Sequence, residues 1–121
     1  MASLLIVDDS SAVRNSIVQF LNEHGIECIT ASNGFEGIEQ LKANPGIKLI
    51  ITDIMMPEMT GLEMLDKIRN EVGNQEVKVL ILTNENSPEF KLKCKPLKVK
   101  AWIVKPFDGP NALPVIQKLL Q

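Results

Sequence analysis

Asp8, Asp9, Asp53, Thr83 and Lys105 are polar residues standing at the ends of apolar runs, and together they form a set suited to phosphate and metal chemistry. Leu4-Leu5-Ile6-Val7 runs into Asp8-Asp9, and Leu49-Ile50-Ile51-Thr52 runs into Asp53. The run 77–82 meets Thr83, and Ala101-Trp102-Ile103-Val104 meets Lys105. Carboxylates held close together repel, and keeping Asp8, Asp9 and Asp53 ionised near neutral pH requires an opposite charge. An oxygen-only donor set suits Mg²⁺, whereas zinc favours histidine and cysteine, which the set lacks. One aspartate could also act as a nucleophile and become an acyl phosphate. Transfer of a phosphoryl group depends mainly on positioning and charge neutralisation. Lys105 can pair with one phosphoryl oxygen and the Thr83 hydroxyl can donate to another.

Such residues meet only if the apolar runs are parallel strands whose carboxyl ends share one sheet edge, the edge where open α/β sheets bind ligands. The runs are short, β-branched and nearly continuous, as expected of strands covered on both faces. Segments of helical period lie between them. Val13, Ile17, Phe20, Leu21 and His24 form one stripe, with Gly25 as its stop. Phe35, Ile38 and Leu41 form a second, opened by Asn33 and Glu36 in a capping-box pattern. Leu62, Leu65, Ile68 and Val72 form a third, capped by Thr60 with Glu63 and ended by Gly73. A fourth helix is expected to start near Asn86-Ser87-Pro88-Glu89. The fifth carries Leu113, Ile116, Leu119 and Leu120, and residues 25–30 supply the remaining strand. The alternation predicts an α/β domain with a five-stranded parallel sheet and helices on both faces. Two prolines strain this pattern. Pro96 should end or kink the fourth helix, and Pro114 is tolerable only if the fifth begins near Asn111 or bends.

A chain of 121 residues has the length of one domain, and no linker, repeat or low-complexity tract divides it. Its net charge of −2 gives no global field to recruit nucleic acid or a membrane surface. The local exception is Lys91, Lys93, Lys95, Lys98 and Lys100, read as a solvated helix face. Cys28 and Cys94 fit no metal-ligand spacing and are expected to be reduced thiols. No basic region precedes a long apolar stretch at the amino terminus, so a cytoplasmic protein without signal peptide or membrane span is expected. Met56 and Met59 are expected to pack, and His24 to sit solvated at a helix end.

The segments LLIVDDSS, ITDIMMPEMTGLEML, VLILTNENS and AWIVKPF, in this order and spacing, resemble the receiver domain of two-component response regulators, of the single-domain chemotaxis-like type. The resemblance covers the whole chain and implies a (βα)5 flavodoxin-like sandwich with strand order 2-1-3-4-5. It implies one receiver domain over 1–121 with no output domain, so that signalling works through the surface of the fourth helix, fifth strand and fifth helix. Asp53 is then the phosphoacceptor, charged by a histidine kinase or phosphotransfer protein. Asp9, Asp53 and the Met55 backbone carbonyl bind Mg²⁺ directly, and Asp8 acts through a bound water. Thr83 is the switch hydroxyl, Lys105 the phosphate-pairing lysine and Trp102 the aromatic switch residue. Lys105-Pro106 matches a cis peptide. The downstream partner is a protein, with no direct nucleic-acid or membrane contact, and the chain works as a monomer or a phosphorylation-dependent dimer.

Certain positions depart from the family pattern. Lys98 stands where receivers of this type often have glycine, and Asn84 where they usually have a small residue. Met55 is apolar and cannot orient a water for dephosphorylation. Two other readings remain open. A small Mg²⁺-dependent phosphatase with an aspartyl nucleophile usually shows Asp-x-Asp at the first strand, which this chain lacks. A phosphorylation-independent interaction module has no need to keep mutually repelling carboxylates.

Overall fold

Residues 2–84 and 88–121, without the Phe90 side chain, are described by the structure, a computed structural model. Apolar runs form β1 (Leu4–Val7), β2 (Cys28–Ala31), β3 (Leu49–Thr52), β4 (Lys78–Thr83) and β5 (Val99–Val104). Between and after them lie α1 (Ser11–Glu23), α2 (Gly34–Ala43), α3 (Gly61–Lys67), α4 (Pro88–Cys94) and α5 (Gly109–Leu120). The strands make one parallel sheet in the order β2-β1-β3-β4-β5, as the sequence reading expects.

Alternate residues of each strand feed two cores. Leu5, Val7, Ile50, Val79 and Ile81 face α2 and α3, while Leu4, Ile6, Leu49, Ile51, Leu80 and Leu82 face α1 and α5. Strands buried on both faces explain why every residue of β1 and β3 is inaccessible to solvent. No helix among the described residues is long and apolar enough to cross a membrane.

Local chemistry sets most helix ends. Ser10 caps α1, and Asn33 caps α2 by accepting from the Glu36 N–H. The Glu36 carboxylate reaches Ser32 instead of closing a box on Asn33. Thr60 and Glu63 form the full reciprocal box on α3. Gly25 and Gly73 adopt positive φ after α1 and after the π-helical turn Ile68–Val72 that continues α3. The expected start of the fourth helix at Asn86-Ser87 lies outside the described residues, and α4 runs from Pro88.

Pro96 ends α4, because the chain tightens there into a 3₁₀ turn, Lys95–Leu97. Lys98 then takes the left-handed conformation, φ 59 and ψ 46, that a glycine would supply. The cap survives the missing glycine at a steric cost. Lys98→Gly is therefore expected to stabilise the fold by about 0.5 to 1 kcal/mol, after subtracting glycine's greater freedom in the unfolded chain. Urea unfolding checks this, and an unchanged or lower midpoint would contradict it.

Pro114 requires a correction. The last helix begins at Gly109, two residues before Asn111, so Pro114 is an interior position. The carbonyl it leaves unpaired belongs to Pro110, and both prolines are exposed, so water can serve that oxygen.

Candidate active site

Register brings the acidic residues together. Val7 pairs with Thr52, so the next residues, Asp8 and Asp53, are neighbours where the two strands end. The Asp53 N–H donates to the Val7 carbonyl at 3.0 Å and the Asp8 N–H to the Ala31 carbonyl at 3.2 Å, which prolongs the ladder to both. β4 extends past β3, since Thr52 pairs with Ile81, and Thr83 ends it fully buried. The Lys105 N–H donates to the Thr83 carbonyl at 2.9 Å and carries the lysine to the same edge.

There the Lys105 ammonium lies 2.8 Å from Asp53 Oδ2 and 3.2 Å from Asp8 Oδ2. Asp53 Oδ1 accepts from the Ile54 N–H at 2.6 Å and the Met55 N–H at 3.4 Å. Asp8 Oδ1 accepts from the Ser10 N–H at 2.9 Å. Carboxylate oxygens of Asp8, Asp9 and Asp53 all lie within 4.8 Å of one another, with Asp8 and Asp53 buried and Asp9 exposed. Burial pushes the Asp8 carboxyl above the ordinary aspartate range, against the Ser10 hydrogen bond and the Lys105 charge, which lower it. Burial also pulls the Lys105 ammonium down, but its hydrogen bond to Asp53 and its charge contacts with Asp53 and Asp8 outweigh this and leave it above the ordinary lysine value.

The donor set fits a hard divalent cation. All donors are oxygens, and Asp8 Oδ2 is buried without a hydrogen bond, its contact with Lys105 being a charge contact outside hydrogen-bonding geometry. Asp8, Asp9, Asp53, Lys105 and Thr83 therefore share one sheet edge. Trp102 stands apart from it. It pairs with Ile81 in register and is half-buried on the α2–α3 face, with the Lys91 ammonium 5.8 Å from its ring centroid. Ala101 and Ile103 point to the other core, as the alternation expects. Parity along β4 puts Thr83 on the same face as Trp102. The Met55 side chain is 73% exposed, while Met56 and Met59 are buried. Lys105-Pro106 is cis.

Sequence reading missed two contributors. The Arg14 guanidinium, one turn into α1, donates to the Asp8 carbonyl at 2.6 Å and braces the β1–α1 loop. A basic residue six positions after the first acid was the available signal. Gly61 begins α3 against the end of β3, and a Cβ there would meet the Asp53 carbonyl. Only its place inside the TGLEML segment hinted at that.

The response regulator receiver domain pattern matches residues 4–117. The chain is 38% identical to the chemotaxis protein CheY of Treponema pallidum over 120 residues, 98% of this chain and 82% of that one. CheY1 of Helicobacter pylori is 38% identical over 105 residues, 86% of this chain and 85% of that one. Among solved structures, chemotaxis protein CheY4 of Vibrio cholerae superposes with a TM-score of 0.90 at 34% identity, covering 98% of each chain. CheY in the CheX-CheY-BeF3-Mg complex of Borrelia burgdorferi superposes with a TM-score of 0.89 at 27% identity, covering 99% of this chain and 90% of that one. With a sheet ordered 2-1-3-4-5, an acidic cluster at its carboxyl edge and relatives of this kind, the chain belongs to the response regulator receiver family and is a CheY-like signalling domain.

Proposed function

We propose that residues 1–121 form one receiver domain that accepts a phosphoryl group on Asp53 from a histidine kinase or phosphotransfer protein. The observation that carries this reading is the Lys105 ammonium standing between Asp53 and Asp8, with Asp9 in the same acidic group. Asp9, Asp53 and the Met55 carbonyl are assigned to hold Mg²⁺, with Asp8 acting through a bound water. Bound there, the ion supplies neutralisation of charge on the phosphoryl oxygens. The Borrelia CheY complex, which holds BeF3 and Mg²⁺, supports this assignment by analogy.

An Asp53 carboxylate oxygen forms the new bond to phosphorus as the donor's bond to phosphorus breaks and its electron pair leaves with the donor. Lys105, already paired with Asp53 Oδ2, moves to a phosphoryl oxygen. The Thr83 hydroxyl donates to another, and the added charge of about −1.5 to −2 draws it inward. Trp102, on the same face, then repacks, and the surface of α4, β5 and α5 changes for a protein partner. This is a shift between two packings, limited by the phosphate's differential affinity for them. On this reading the protein is cytoplasmic, works as a monomer or a phosphorylation-dependent dimer, and turns over no external metabolite.

Incubation with acetyl phosphate and Mg²⁺ tests it. The expected result is one phosphoryl adduct by intact mass, absent with EDTA, and an emission change from Trp102, the only tryptophan in a chain without tyrosine. A sample that never gains the adduct would refute the reading.

Dephosphorylation should be slow, because the exposed Met55 side chain near the acceptor offers no polar atom to hold an attacking water. Met55→Asn is expected to hasten decay by about tenfold, the worth of one hydrogen bond of about 1.4 kcal/mol. Decay followed by mass after donor removal decides this, and equal or slower loss in the variant sinks the idea.

A further inference from the structure

Arg69 is only 4% exposed, in the π-helical turn that continues α3. Its guanidinium makes a fan of hydrogen bonds to backbone carbonyls, one nearby in sequence and two distant. Nε donates to the Leu97 carbonyl at 3.0 Å, Nη1 to the Asn74 carbonyl at 3.1 Å, and Nη2, at a longer 3.5 Å, to the Lys98 carbonyl. No carboxylate pairs with it among the described residues. Carbonyls at the end of a helical turn lack internal partners and carry partial negative charge, which suits a buried cation that cannot lose its proton.

The two ends of this bridge are different in firmness. Asn74 belongs to a tight loop: its N–H donates to the Ile68 carbonyl at 3.0 Å, and its Oδ1 accepts from the Glu76 and Val77 N–H groups at 3.1 and 3.0 Å. Gln75 adds a side-chain bond to the Arg69 carbonyl. The other end is the Pro96-interrupted turn below α4, closed by a strained Lys98. Among the described side chains of α4, Pro88, Glu89, Lys91, Leu92 and Lys93 are exposed, and Cys94 alone is buried. Among these described side chains only Cys94 packs α4 to the core, so the fastening of the helix's carboxyl end bears on its place. Lys91, one turn up, covers Trp102.

We propose that Arg69 is the pivot of α4, a positioning residue whose guanidinium pins the helix's carboxyl end to the entrance of β4, so that α4 swings about that end and carries the cover of Trp102 with it. This goes beyond the phosphoacceptor reading and needs no phosphoryl group to be tested. Phosphate-site changes at Thr83 lie at the far end of β4 and β5 from the pin, and a fixed base converts them into rotation of α4 instead of drift.

Hydrogen exchange by mass spectrometry on Arg69→Lys and Arg69→Met, without donor, tests the pin. Lysine keeps the charge but lacks the planar fork, and it guards against a methionine variant that does not fold. Exchange over residues 88–100 is expected to rise by about tenfold or more in both variants while β1 and β3 stay within about twofold. Acrylamide quenching of Trp102 should rise alongside. With acetyl phosphate and Mg²⁺, adduct formation should stay within about twofold of the parent chain while the Trp102 emission change shrinks, a split that a general loss of stability does not produce. Faster exchange spread evenly over the chain, or wild-type exchange over 88–100 in Arg69→Lys, would overturn the pivot. Failure of the parent chain to take up a phosphoryl group would refute the proposed function and leave the exchange result standing.

Discussion

Replacing Asp53 by asparagine is expected to abolish covalent phosphoryl uptake at every concentration of acetyl phosphate and Mg²⁺. The amide is a poor nucleophile and cannot form the acyl phosphate, and no other carboxylate at the edge is placed alike. Asp8 has one oxygen held by the Ser10 N–H and the other buried beside Lys105 at the longer distance of 3.2 Å, and Asp9 has no position against Lys105 like that of Asp53 Oδ2 at 2.8 Å. Lys105→Met separates acceptor from helper. Its Asp53 remains a nucleophile, so an adduct should still appear, slower by about 10²-fold, the usual cost of removing one charge-stabilising donor. The Trp102 emission change should be lost in both variants, in the first because nothing binds and in the second because the phosphoryl charge is no longer tied to the β5 end. Intact mass against time, with fluorescence on the same samples, reads both. An adduct forming on Asp53→Asn at the parent rate would remove Asp53 as the acceptor.

The site was legible in the sequence because each strand stops on a polar residue, and parallel strands must stop on the same side. Asp8, Asp53 and Lys105 could be assigned to one edge before any register was known. Register itself was not legible. That Val7 pairs with Thr52 while β4 runs two residues past β3 depends on lateral packing, which hydrophobic periodicity does not encode. Capping chemistry was legible where donor and acceptor are three residues apart, as at Asn33 and at Thr60 with Glu63. Long-range partners were not. Arg69 drew no reading from the sequence, and only the fold brings it to carbonyls 28 and 29 residues away. Lys98 read as a lost glycine cap, whereas the backbone keeps the left-handed turn and accepts the strain. Pro114 read as tolerable only in a helix that begins near Asn111 or bends, but the helix begins at Gly109 and the carbonyl left unpaired is that of exposed Pro110, where the missing bond matters little.

These points bear on how the two ends of the sheet cooperate. At the carboxyl edge, like charges are crowded around one lysine. At the opposite end, a buried guanidinium ties α3, the entrance of β4 and the end of α4 together. Between them run β4 and β5, whose ladder slips by one residue between Val79 and Leu80, leaving Lys100 as the extra residue. These strands lie beside an α4 whose described side chains, Cys94 apart, are exposed, and Lys91 of that helix stands over Trp102, which is where a change of charge at Asp53 can be read out.

Asp8→Asn should make the metal-free protein more stable at neutral pH and abolish most of its response to Mg²⁺. Burial raises the Asp8 carboxyl above its ordinary value in the folded chain, even with Ser10 and Lys105 opposing it. A group whose folded value is raised contributes stability below its unfolded value, and that contribution disappears as pH rises through the folded value. At neutral pH the parent chain therefore carries an ionised Asp8 that opposes folding, whereas asparagine is neutral throughout and its Oδ1 still accepts from the Ser10 N–H. In EDTA the variant is expected to lead by roughly 1 kcal/mol, the size of an ordinary single substitution. The lead should shrink as pH falls through the Asp8 value, because the parent then takes up the proton the variant never needed. Saturating Mg²⁺ should reverse the order at neutral pH. A ligand at about 100 times its dissociation constant adds about 2.7 kcal/mol to a fold that binds it, and the variant has lost one of the acids that make the site attractive. Thermal unfolding of both proteins in EDTA and in Mg²⁺, across a pH series, gives the crossing directly. Equal Mg²⁺ stabilisation of both, or a variant less stable in EDTA at every pH, would show that Asp8 neither bears the burial cost nor belongs to the cation site.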